Sequence, residues 1–171
     1  MIDSSLETAV SELLSGEAGV IDSYDKDFFS ILVSYSFIKN NLDIKEHFFP
    51  SLHISDVLDN FARNNYVFDL NLSSRINLGL ADYSELSGFC DSILFFSGFL
   101  PEFFNNRINS RDYYLSLAKK GFYDLHLSNL NNSYFFPLSE NIEKYSSALF
   151  FMRNNFFADS FEKDYVFDFK H

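Results

Sequence analysis

The sequence predicts an all-α fold, a single bundle of about six helices over residues 1–171, with one small β-hairpin near 67–80. Three observations carry this. Apolar residues recur at helical spacing through most segments, capping residues stand where those runs begin, and Gly or Pro stands where they stop. With 47% hydrophobic residues, including 23 Phe and 10 Tyr, the chain can bury enough apolar surface to offset the entropy of ordering.

Ser4 and Glu7 form a capping box, and Leu6, Ala9, Val10, Leu13 and Leu14 then share a face until Gly16. Asp25 caps a helix over 25–42 that is apolar on two sides, with Phe28, Ile31, Leu32 and Tyr35 in one stripe and Phe29, Val33 and Phe37 in another. It is expected to form the centre of the bundle together with the helix over 82–97. Pro50 and Ser51 punctuate the chain, and Ile54, Val57, Leu58 and Phe61 give a third helical face.

Between 66 and 80 the period changes. Phe68, Leu70 and Leu72 alternate with polar residues, as do Ile76, Leu78 and Leu80, which favours a hairpin turning at 73–75 over a helix running to the next cap. The phrase Tyr66-Val67-Phe68-Asp69 recurs as Tyr165-Val166-Phe167-Asp168. Shared composition accounts for four residues, and paired short strands are the testable alternative.

Asp82 and Glu85 make a second capping box, opening a helix whose Leu86, Cys90, Ile93, Leu94 and Ser97 share a face and which stops at Gly98 with Pro101 beyond. Ser110 caps a helix carrying Tyr114, Leu117, Ala118, Gly121, Phe122 and Leu125 on one side, where Ala118 and Gly121 admit a close neighbour. Residues 127–138 read as a surface loop closed by Pro137. Ser139 then caps a last helix with the seam Ile142, Tyr145, Leu149, Met152 and Phe156.

A formal charge of -11 and a pI near 4.6 repel phosphate backbones and anionic membrane surfaces, so no nucleic-acid partner is expected. No apolar run approaches the roughly 20 residues that span a bilayer, and acids occupy the N-terminus where a secretory signal carries positive charge. The expected compartment is the cytoplasm; export by a dedicated secretion system, which needs no cleavable signal, is compatible with the same sequence. The lone Cys90 excludes an intrachain disulfide or a Cys-rich zinc site and reads as a packing residue.

Catalytic patterns are wanting. His47, His53, His126 and His171 lack the spacing of a helical metal pair, the six glycines form no phosphate loop, and Phe95 stands where a nucleophile elbow before Ser97 needs Gly. Hence no catalytic residue, metal or cofactor is assigned. The candidate binding residues cluster at one corner: Phe95, Phe99, Glu102, Arg107, Arg111, Tyr113 and Tyr114. The favoured reading of their charges is structural, Glu102 pairing with Arg107 or Arg111 after Pro101 to fix a helical corner.

Around that corner the sequence resembles a family of uncharacterised small bacterial proteins whose pattern runs approximately G-D-x-x-L-F-x-S-G-F-F-P-E, then an Arg-bearing link and a D-Y-Y segment. The matching residues are Asp91, Leu94, Phe95, Ser97, Gly98, Phe99, Pro101, Glu102, Arg107, Asp112, Tyr113, Tyr114, Gly121 and Tyr123, within about a fifth of the chain. It departs from the pattern at Cys90, Leu100 and Asn106. The resemblance implies a mainly helical, cytoplasmic bacterial protein and carries over no catalytic residue.

Two functions compete on this reading. The leading one is a non-enzymatic adaptor or regulatory protein that presents an aromatic surface to a protein partner or a second copy of itself. The alternative is a protein that holds a small-molecule or lipid-like ligand in an aromatic pocket between helices, lined by Phe95, Phe99, Tyr113 and Tyr114 with Arg107 or Arg111 as its anionic anchor.

Overall fold

The computed structural model describes Thr8 and residues 26–63, 69, 71–132 and 134–158. Among these lie six α-helices, one 3-10 turn and no strand: α1 Lys26–Lys39, α2 Phe48–Ala62, α3 Leu72–Asn77, α4 Tyr83–Phe99, the 3-10 turn Pro101–Phe104, α5 Arg111–Ser128 and α6 Phe135–Phe156. The all-α fold is thus present. The capping box expected at Ser4 and Glu7, the cap expected at Asp25 and both copies of the Tyr-Val-Phe sequence lie outside the described residues. No described helix is long and apolar enough to cross a membrane.

α4, α5 and α6 pack on one another in a three-helix unit, and α1 and α2 close it from the side of α6. The helix over 82–97 is central as expected: every residue of α4 from 92 to 99 is buried. Its companion at the centre is α6, which meets α1, α2, α4 and α5, rather than α1, which packs mainly against α2 and α6. Much of the Phe content goes into a continuous aromatic column. Phe61 stacks on Phe95 at 3.9 Å, Phe95 on Phe99 at 5.3 Å, and Phe99 and Phe28 both meet Phe157, at 5.8 and 6.3 Å. Such ring pairs add to plain area burial.

The hairpin is corrected. Residues 72–77 are helical, and the chain leaves α3 through Gly79 at φ +69, with Gly79 N–H donating to Ile76 O and Leu80 N–H to Arg75 O. That is a Schellman stop, whose left-handed residue is usually Gly. The apparent alternation arose because a six-residue helix and its stop place one leucine or isoleucine every second position; Ile76 alone of the trio is buried, while Leu78 and Leu80 are exposed. α1 ends in the same way through Asn41 at φ 58, with Leu42 N–H donating to Phe37 O at 2.9 Å.

The start of the last helix is corrected as well. α6 begins at Phe135, four residues before Ser139, and Pro137 sits inside its first turn, where a missing N–H costs nothing. α2 opens identically, Phe48-Phe49-Pro50 matching Phe135-Phe136-Pro137. Ser139 is buried and its hydroxyl donates to Lys119 O at 2.9 Å, tying α6 to α5 just before the non-helical Asn141.

Two expected caps are present. Asp82 and Glu85 exchange side-chain and backbone bonds at the head of α4, and Ser110 Oγ accepts from Tyr113 N–H at the head of α5.

Candidate functional site

The corner between α4 and α5 is built on close contact. A Cβ placed on Gly98 would overlap Leu149 Cβ and lie 2.9 Å from Ser146 O, so Gly98 lets α4 touch the backbone of α6. Gly121 lets α5 close on side chains of α4, where an added Cβ would overlap Cys90 Sγ. The Cys90 thiol is fully buried, and burial pushes its pKa well up, which makes it inert.

Two arginines then fasten the corner to α6. Arg111 Nε donates to Ser97 O at 3.2 Å, one of the last carbonyls of α4, and its Nη2 donates to the buried Ser146 Oγ at 2.8 Å. Glu102, on the 3-10 turn, accepts from Arg153 Nη1 at 2.7 Å. This differs from the expected pairing of Glu102 with Arg107 or Arg111. The partner comes from the far end of α6, which local spacing does not reveal. Arg107 instead lies over the Phe103 ring at 4.3 Å.

The aromatic candidates divide between interior and rim. Phe95 and Phe99 have no exposed surface, and Tyr114 is buried against Phe104 at 5.5 Å. Tyr113 is half-buried and its hydroxyl accepts from Asn77 Nδ2 at 2.7 Å, tying α5 to α3. These side chains are therefore not brought together around a common opening. The opening at this corner lies one helix away, a groove of ≈ 660 Å³ lined by Asn40, Ser97, Pro101, Arg111, Ser147, Phe150, Phe151, Asn154 and Asn155. A second depression of ≈ 410 Å³ shares Arg111 and Ser147 and is walled by Asp112, Leu115, Ser116 and Glu143.

Two of the histidines are built into contacts between helices. His47, at the head of α2, shares a 2.7 Å hydrogen bond with Tyr145 of α6. Burial lowers the His47 pKa, with Lys144 adding to that effect against Glu46 and Asp43, and burial raises that of Tyr145. His53 on α2 bonds Asp91 of α4 at 2.7 Å and stacks on Tyr134, 4.6 Å away, at the head of α6. Burial works against its proton, but the charge and hydrogen bond of Asp91 outweigh it and hold its pKa above the ordinary value. The residue before each Phe-Phe-Pro start therefore docks on the other helix: His47 on α6, Tyr134 on α2.

Ile108 and Phe150 are exposed at the corner, and a further group of exposed apolar side chains lies away from it. Tyr123 and Leu127 face outward from the end of α5, with Leu130 and Phe136 beyond. His126 bridges two of them, its ring 6.5 Å from Tyr123 and 5.4 Å from Phe136. Phe48, Phe49 and Leu52 form a smaller exposed group at the head of α2. Sequence reasoning missed Ser146, Arg153, Asn154 and Phe150. Of these Ser146 alone carried a signal, a hydroxyl on the apolar seam beside Tyr145 and Leu149.

No family model, curated protein or solved structure matches the chain. The resemblance of segment 91–123 rests on its own residues.

Proposed function

We propose that this is a non-enzymatic interaction protein of the bacterial cytoplasm, an adaptor or regulatory module that engages a protein partner through Tyr123, Leu127, Leu130 and Phe136. The observation that carries this reading is the division of its aromatic residues. Most of the described Phe side chains are committed to the core, yet Tyr123 and Leu127 stay exposed one turn apart on α5, exposed Phe136 meets the same His126 ring as Tyr123, and Leu130 is exposed in the link between the two helices. Exposed apolar groups that cluster, rather than scatter, favour association, and aromatics are enriched in interface cores.

The net charge of -11 supports a protein partner over a nucleic acid. The test is retention of a partner by the tagged native chain and its loss in the double variant Leu127→Asp, Phe136→Asp, with Leu78→Asp as the surface control. Loss in both the double variant and the control, or in neither, would count against the reading.

A further inference from the structure

We propose that the groove over Arg111 is a binding site for a small organic anion, a carboxylate or phosphate monoester that carries a flat apolar group. This goes beyond the partner surface. Arg111 opens α5 and Leu127 lies near its other end, about 24 Å away along the helix.

Among the described residues, the guanidinium is held in place without being neutralised. Its Nε and Nη2 are directed onto a backbone carbonyl and a serine hydroxyl, both uncharged. Nη1 has Asp112 Oδ1 at 4.0 Å, beyond hydrogen-bond reach, and that carboxylate is 92% exposed. Arg111 is also the first residue of α5, the end of a helix where the backbone dipole disfavours a cation and favours an anion. A cation pinned there, with two arms occupied and one open, is pre-organised to take an oxyanion.

The lining suits the rest of such a ligand. The chain has 24 acids against 13 Lys and Arg, yet among the described residues no acid lines the larger groove. Asn40, Asn154, Asn155 and Ser147 supply neutral polar groups, while Phe150, 44% exposed, and Phe151 offer an apolar wall. Its ≈ 660 Å³ falls within the usual range for small-molecule sites. The acids Asp112 and Glu143 line the smaller depression on the other side of Arg111, so an anion is steered to the Asn and Phe side.

The test is a titration of the full chain with phenylphosphate and phenylacetate, followed by NMR at the Arg111 Nε–H and the Phe150 ring, with inorganic phosphate and benzylamine as controls. Both ring-bearing anions are expected to bind with Kd of about 1 mM, as suits fragments of this size, and both controls at least roughly tenfold more weakly. Phe150→Ala, at an exposed ring, should weaken phenylphosphate by roughly fivefold, and Arg111→Gln by roughly tenfold or more. Should Arg111→Gln loosen the corner, Phe150→Ala and Arg111→Lys decide. Benzylamine binding as well as phenylphosphate, inorganic phosphate binding as well as phenylphosphate, an unchanged Phe150→Ala, or no response at roughly ten times the expected Kd would each overturn the proposal.

Discussion

Gly98 of α4 lies directly against Leu149 of α6, and no atom larger than hydrogen fits between them. This contact sets how closely the two central helices approach. It also gives the Gly a role beyond ending a helix, since α4 continues through Phe99.

A series of Gly→Ala substitutions should therefore separate packing from propensity within one bundle. Gly98→Ala meets the Ser146 carbonyl and Leu149 Cβ, both fixed by α6, and should destabilise by about 1–3 kcal/mol. Gly121→Ala meets the tip of Leu86 and Cys90 Sγ, which can shift in part, and should cost less. Gly88 has nothing within 4 Å of an added Cβ, so Gly88→Ala should stabilise by about 0.5–1 kcal/mol through helix propensity. Thermal or urea unfolding checks the order; equal effects at positions 88 and 98 would refute the close crossing.

Ser36 is fully buried on α1, and its hydroxyl oxygen has no hydrogen-bond partner among the described residues. An unmet buried hydroxyl costs about 1–3 kcal/mol. Ser36→Ala should accordingly raise the unfolding midpoint, whereas a loss of stability would mean that the hydroxyl is satisfied.

The two histidine contacts should impose opposite pH dependences. His47 has a folded pKa below its ordinary 6.5, so the unfolded chain takes the proton more readily. Stability is present above 6.5 and is lost as pH falls through the folded value. His53 has a folded pKa above 6.5, so its contribution is present below 6.5 and is lost as pH rises through the folded value. Denaturation from pH 5 to 8 should show His47→Gln flattening the acid limb and His53→Gln the alkaline limb. Both changes on one limb would contradict the assigned partners.

Much of the fold was legible because its signals are local. The Asp82–Glu85 box and the Ser110 cap need only three residues of spacing, and the seam of α6 needs only a helical period. The misread elements turn on features that have two meanings. Pro137 stops helices and also starts them, and Ile76, Leu78 and Leu80 fit a strand or a short helix with a Gly79 stop. At the corner, Arg111 was legible as a structural cation, but its acceptor Ser146 and the Glu102 partner Arg153 lie 35 and 51 residues away. Pairings at that distance follow from how α6 crosses α4, which no local pattern encodes.

The partner surface is the central claim, and site-specific photo-crosslinking in the native host tests it most directly. With benzoyl-phenylalanine in place of Leu127, the expected result is one discrete adduct that excess unmodified protein competes away. The same probe at the exposed Leu78 should give none. No adduct from position 127, or the same adducts from both positions, would contradict the account.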